Sequence, residues 1–268
     1  MSSYQMSNNN LSVIALVSIG EHPTSGRPRR AEQDARAIEL GLKLKGNNLQ
    51  TLHAGQVPDD ASQHSALRSY LGMGLSEMNV LAMPEKADAA LLIAEYLLKQ
   101  KPDIILTGVR TEQGESSGML PYLLAKQLGF AMVTSIADIL SIDEVNKQAL
   151  VLQALPRGQR RKIKIDLPFI ASVDMAATQP RQSAFGPATR GKFAVTRGAT
   201  FADTASCTWQ TAEAKKRPKR LKIIKANTAA DRFKAATAKA TGGGGKSVHG
   251  VEGSAQAILA LLTEEGIL

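Results

Sequence analysis

Two periods alternate along the first half of the chain. LSVIALVS (11–18) is a near-continuous apolar run, the pattern of a strand buried on both faces. AEQDARAIELGLKLKG (31–46) spaces Ala37, Ile38, Leu40, Leu42 and Leu44 for burial on a helix that Gly46 ends. LQTLHAG (49–55) reads as a second strand and DDASQHSALRSYLGMG (59–74) as a helix with an acidic start and a glycine stop. MNVLAM (78–83) is a third strand, KADAALLIAEYLLKQ (86–100) an amphipathic helix, and DIILTG (103–108) a fourth strand. SGMLPYLLAKQLG (117–129) is the helix after it. Strands and helices alternating at this spacing predict parallel βαβ units with right-handed crossovers. Ligands of such sheets bind beyond the carboxyl ends of the strands.

The pattern changes after Gly129. FAMVTSIADIL and ALVLQALPRGQRRKIKIDLPFIASV read as strands with short connections. PRGQ (156–159) has turn chemistry and RKIKI (161–165) alternates polar and apolar positions. The second half therefore adds a hairpin and at least one more strand. From about Ala184 the chain loosens into Ala, Thr, Lys, Arg and Gly, and ATGGGGKSVHGVEG reads as a linker. SAQAILALLTEEGIL (254–268) is then a short amphipathic helix that Ser254 would cap. About fifteen residues make a marginal helix alone, so it folds back or docks on a partner chain. The expected organisation is a disordered leader over 1–10, an α/β nucleotide-binding domain over 11–200, a basic Gly-rich linker over 201–250 and a docking helix over 251–268.

Composition narrows the classes. The formal charge is +9, with much of it in KKRPKRLKIIK (215–225). No aromatic residue interleaves that run and no reader motif accompanies it, so it argues against nucleic acid and for a solvated or acid-facing segment. The one cysteine, Cys207, excludes an intrachain disulfide framework and suits a reducing cytoplasm. No apolar run is long enough to span a membrane, and MSSYQMSNNN is not built as a secretory signal.

The candidate chemistry is sparse. His22, His53, His64 and His249 have no metal-ligand spacing, and no nucleophile elbow or Cys-His pairing stands out. TGVRTEQGESSGMLPYLLAKQLG (107–129) is the informative stretch. A strand end runs into Gly108, Gly114 and Gly118, with Ser116 and Ser117 ahead of a helix N-terminus. Backbone N–H groups and the helix dipole at such a turn attract phosphate. Sterics alone also produce glycine-rich βα turns, and the stretch is neither a Walker loop nor GxGxxG. His22, just after the first strand, is the one histidine on the ligand-binding edge.

Taken in order, these segments resemble the β subunit of electron transfer flavoproteins. VIALVSIGEH resembles the family's opening strand, and AEQDARAIELGLKLK its Asn-Pro-x-Asp helix start, with Asp34, Ala37 and Glu39 matching. LHAG, LGMGLSEMNVL and PDIILTGVRTEQGESSGMLPYLLAKQLG follow in the family's order, the last resembling its adenine-nucleotide loop. LPFIASVDMAATQPRQSAFGPATRGK is the most specific match, and VHGVEGSAQAILALLTEEGIL resembles the closing arm.

The resemblance implies a doubly wound, mostly parallel α/β sheet, Rossmann-like and of the adenine-nucleotide-binding type, with an added hairpin and a C-terminal arm. It implies a non-enzymatic carrier subunit that pairs with an α subunit, which holds most of one redox-active FAD. Electrons would come from flavin dehydrogenases and leave to a membrane quinone reductase or similar acceptor. The β pocket would hold AMP, a second FAD or nothing. Carried over, Ala15, the helix start from Ala31 to Asp34, and Ala54 would border that pocket, and Gly114, Glu115, Ser116, Ser117, Gly118 and Met119 would hold the phosphate. His22 would fall near the α-subunit flavin, and Ala184, Phe185, Gly186 and Arg190 would lie where dehydrogenases dock. The departures are a loop about two residues shorter, with Glu112, Gln113, Glu115 and two serines where the family has two or three aspartates and a Gln before its glycine, and Ala31 and Glu32 in place of Asn-Pro. The alternative expectation is a nucleotide-binding regulatory module on the same fold.

Overall fold

Val13–Val17 forms β1, and all five of its residues are buried. Its side chains alternate between two cores, as a strand's must. Val13, Ala15 and Val17 join one cluster; Ile14 and Leu16 join the other. Helix α1 (Glu32–Lys45) and helix α2 (Ala61–Leu71) supply the first cluster, through Ile38, Leu67 and Tyr70 among others. Helix α3 (Ala89–Gln100) and helix α4 (Leu120–Leu128) supply the second, through Leu92, Ile93, Leu97 and Leu124. The sheet is thus covered on both faces, and each large aliphatic side chain so buried contributes about 1.5–3 kcal/mol. The structure, a computed structural model, describes residues 11–57, 61–84, 87–198, 201–210, 212, 228–237 and 248–264.

The remaining strands are β2 (Ile19–Glu21), β3 (Pro28–Arg30), β4 (Gln50–Gly55), β5 (Glu77–Ala82), β6 (Ile104–Gly108) and β7 (Ala131–Asp143). They continue with β8 (Gln148–Ala154), β9 (Arg160–Asp166), β10 (Phe169–Val173) and β11 (Lys192–Arg197). Nine of the described strands form one sheet in the order β11-β5-β4-β1-β6-β10-β7-β8-β9. Pairing is parallel from β11 to β7 and antiparallel for β7–β8 and β8–β9. The architecture is the expected doubly wound α/β sheet with an added hairpin. From β1 the chain steps to β4 and β5 on one side, then crosses to β6 on the other. β1 and β6 therefore flank the switch point where such sheets bind ligands.

Three local features differ from the pattern read along the sequence. β2 and β3 form a separate antiparallel pair between β1 and α1, too short for a periodicity to register. Beyond Ala184 the chain is not uniformly loose: helix α5 (Phe185–Arg190) precedes β11, which pairs with β5 at the sheet edge. As an edge strand, β11 carries no continuous apolar run; its last three residues are exposed. Ser254 does not cap the last helix, α7 (Val251–Glu264): it lies inside the first turn, and its Oγ donates to the Gly250 carbonyl at 2.8 Å.

Residues from Trp209 on form a second compact unit. It includes helix α6 (Ala229–Thr237) and α7, and on α7 Ile258, Leu259 and Leu261 are all exposed. The leader 1–10 and the basic run 215–225 lie outside the described residues. Among the described residues, no helix is long and apolar enough to cross a membrane.

Candidate functional site

A cleft of about 450 Å³ opens at the switch point. Its floor is the ends of β1 and β6, Val17–Ser18 and Thr107–Gly108. One wall is apolar, with Leu16, Leu52, Ala54 and Ile93; the other is the loop from Val109 to Met119 and the start of α4. The size lies within the usual range for small-molecule sites, roughly 300–1,000 Å³.

The first turn of α1 builds the floor. Asp34 is buried, and its carboxylate accepts from Ser18 N–H at 2.8 Å, Ser18 Oγ–H at 2.6 Å and Gly108 N–H at 3.1 Å. One side chain thereby ties the end of β1 to the end of β6. Gln33 extends the tie, its Oε1 accepting from Val109 N–H at 2.9 Å and Arg110 N–H at 3.2 Å. Tyr70, fully buried, donates to the Ser18 carbonyl and accepts from Ala31 N–H, both at 2.8 Å. Burial lifts the Asp34 carboxyl from 3.8 to about 6, although the Ser18 and Gly108 hydrogen bonds oppose the rise. Burial first, and then the Asp34 charge, push the Tyr70 phenol well above its usual value, so it remains a donor.

Glu112 turns away from the cleft. Its carboxylate accepts from Glu32 N–H at 2.9 Å and Glu21 N–H at 3.0 Å, and pairs with Arg29 at 3.1 Å. It closes the N-terminus of α1 and fastens the β2–β3 pair to it, a favourable place for an acid. Asp88 is likewise committed, capping α3 through Ala90 N–H at 2.8 Å and Leu91 N–H at 3.4 Å. Asp203 accepts from Ala205 N–H at 3.0 Å and Ser206 N–H at 3.1 Å.

The start of α4 is different. Met119 at its N-cap offers no side-chain cap. Met119 N–H reaches Ser117 Oγ only at 3.4 Å. Among the described residues, none accepts from the backbone N–H of Ser117 or Gly118. Ser116 and Gly118 hold positive φ, 53° and 70°. A Cβ on Gly118 would stand 2.8 Å from the Val109 carbonyl oxygen, so only glycine lets the loop close against β6. Arg110 lines the cleft and makes no ion pair among the described residues. The arrangement offers an anion free backbone donors, a helix N-terminus and one cation, while Asp34, Asp88, Glu112 and Asp203 are engaged with other groups.

The structure brings Asp34, Ala54, Glu115, Ser116, Ser117, Gly118 and Met119 together on the cleft. Ala15 is fully buried on the α1 side of the sheet, Ala31 is buried at the α1 N-cap, and Gly114 sits at the exposed loop turn; none lines the cleft. His22 is exposed in the β2–β3 turn, its Nδ1 accepting from Thr24 N–H at 3.3 Å and Ser25 N–H at 3.2 Å. Ala184, Phe185, Gly186 and Arg190 lie apart from the cleft, at and within α5. Sequence reasoning passed over Ser18, Tyr70, Asp88 and Arg110. Only Asp88 carried a local signal, an aspartate one residue before an apolar helical run.

The profile of the electron transfer flavoprotein domain family matches residues 27–199. The chain is also 50% identical over 260 residues to the electron transfer flavoprotein subunit beta of Chromohalobacter salexigens, covering 96% of each chain. This chain belongs to the electron transfer flavoprotein β-subunit family. In that family's terms it is a flavoprotein subunit for electron transfer rather than an enzyme in its own right, and the cleft lies mostly within the matched span.

Proposed function

We propose that this chain is the β subunit of a heterodimeric electron transfer flavoprotein whose cleft holds AMP. The observation that carries the reading is the α4 N-terminus. Its approach through Ser117 and Gly118 retains free N–H donors beside Arg110, while Asp34, Asp88 and Glu112 are occupied by other groups. Phosphate would take those donors. The adenine ring would lie on the apolar wall of Leu16, Leu52, Ala54 and Ile93. A second FAD is the variant reading of the same pocket.

The redox-active FAD is held mainly by the α subunit and supplies the electron transfer when bound. The present chain shields and orients it, and the role assigned to His22, on the exposed β2–β3 turn, is to approach that flavin. The exposed Ile258, Leu259 and Leu261 of α7 pack on the α subunit. Ala184, Phe185, Gly186 and Arg190 meet the flavin dehydrogenase that delivers electrons; a membrane quinone reductase or similar acceptor removes them. Phe185, 87% exposed on a short helix, is the side chain that favours this.

The test is nucleotide release from the co-purified heterodimer after denaturation, quantified by chromatography. One FAD and one AMP per heterodimer is the expected result. Two FAD would replace AMP by a second flavin, and absence of any flavin would overturn the carrier reading in favour of a regulatory nucleotide-binding module.

A further inference from the structure

α5 is only six residues long, too short to hold itself, yet it carries the most exposed phenylalanine among the described residues. It is held from α2. The Arg68 guanidinium Nη1 donates to the carbonyls of Ala188 at 2.8 Å, Thr189 at 3.1 Å and Gly191 at 3.2 Å. These belong to the last turn of α5 and the residue that ends it, where carbonyls lack intrahelical donors and the dipole favours a cation. Arg68 is itself fixed. Its Nε–H donates to the His64 ring, 3.1 Å from Nδ1, and its Cζ lies 5.3 Å from the Phe193 ring centroid. His64 closes the group edge-to-face on Phe193, with ring centroids 5.3 Å apart.

The segment entering α5 is fastened separately. Arg181 forms a two-pronged pair with Glu39, its backbone N–H adds a third bond at 3.0 Å, and Arg30 donates to its carbonyl. Ala184 N–H donates to the Gly72 carbonyl at 2.9 Å. A Cβ on Gly72 would collide with Ser183 Oγ and stand 3.0 Å from the Ala184 carbonyl oxygen, so the glycine admits this approach. The entry is thus bound to α1 and α2, but the end of α5 has Arg68 alone among side-chain donors in the described residues.

We infer that Arg68 is a positioning residue for partner docking: it fixes the end of α5 so that Phe185 is presented in one orientation. This rests on the reading of residues 184–190 as the dehydrogenase-docking segment. A pre-ordered helix spares the ordering cost that a loose one would meet on binding. The role needs a guanidinium, because Nη1 can serve the α5 carbonyls while Nε holds the His64 ring and the group lies over Phe193, whereas an ammonium acts as a point charge.

The experiment compares Arg68→Ala, Arg68→Lys and Phe185→Ala in the intact heterodimer. Hydrogen exchange is read at the Ala188 and Gly191 amides, which close α5 onto the Ala184 and Pro187 carbonyls. Electron transfer is read as flavin reduction by a flavin dehydrogenase kept reduced by its own substrate. Arg68→Ala is expected to speed exchange at both amides by about tenfold. It should raise KM for the heterodimer by a similar factor with kcat unchanged, roughly tenfold. Arg68→Lys should recover part of both effects. Wild-type exchange in Arg68→Ala, or faster exchange at an unchanged KM while Phe185→Ala raises KM, overturns the inference. An unchanged KM in Phe185→Ala overturns the docking reading itself, and the inference with it.

Discussion

The cleft and the α5 segment sit on the same α/β unit but are assembled in opposite ways. In the cleft, side chains are spent on positioning backbone: Asp34, Gln33 and Glu112 hold N–H groups and strand ends, and the donors left for a ligand belong to the main chain. Around α5 the direction is reversed. Arg30 of β3 and Arg68 of α2 reach main-chain carbonyls, and Arg181 pairs with the Glu39 carboxylate of α1, leaving a side chain, Phe185, for the partner. Backbone donors suit a small anion, whose charge any correctly aimed N–H recognises. A protruding aromatic suits a macromolecular surface, where apolar area and shape carry the binding. The cleft is also the more buried of the two, so its electrostatics are the stronger.

Substitutions can break this comparison, beginning at Asp34. Asp34→Ala strands the buried Gly108 N–H and the half-buried Ser18 N–H and hydroxyl, and should cost about 2–3 kcal/mol at neutral pH, read as a lower urea midpoint at unchanged m-value. The cost should depend on pH. Because the folded pKa is raised to about 6 from 3.8, protonation of Asp34 favours the folded state. That contribution is complete below pH 3.8, falls as pH rises through about 6, and is absent above. Wild type minus Asp34→Asn stability, measured from pH 3.5 to 7.5, should therefore decline by up to about 3 kcal/mol. A flat difference would mean that the carboxyl is not desolvated.

Gly118→Ala comes next. The substitution forces a Cβ against the Val109 carbonyl at a positive φ, at a cost of about 1–2 kcal/mol, and should strip most AMP from the purified heterodimer. Full AMP content in that variant would move the anion site away from the loop. The smallest effect is expected on the α5 side. Arg181 is half exposed, so Arg181→Ala should cost only about 0.5–1 kcal/mol, with normal nucleotide content. Burial pushes the Glu39 carboxyl up, but hydrogen bonds from the Arg181 side chain and backbone, then its charge, bring it below its usual value. A loss of AMP in Arg181→Ala would show the two regions to be coupled rather than separate.

The sequence by itself determined β1, β4, β5 and β6 and the helices between them, in their order along the chain. Buried strands and amphipathic helices announce themselves by period, as in residues 11–18 and 86–100, because burial on one or both faces is a local constraint on side-chain type. It also marked the loop carrying Ser116, Ser117 and Gly118, since glycine and small hydroxyl residues before a helix have a local backbone reason. What tertiary structure alone decided is where charge goes. Glu112 stands in the same loop as Glu115, yet one closes α1 beside Arg29 and the other borders the cleft. Asp34 meets Ser18 and Gly108 across 16 and 74 residues, and Arg68 meets the end of α5 across 120 or more. Hydrogen bonds of this kind follow from the crossing of strands and helices in space, and no period along the chain encodes them.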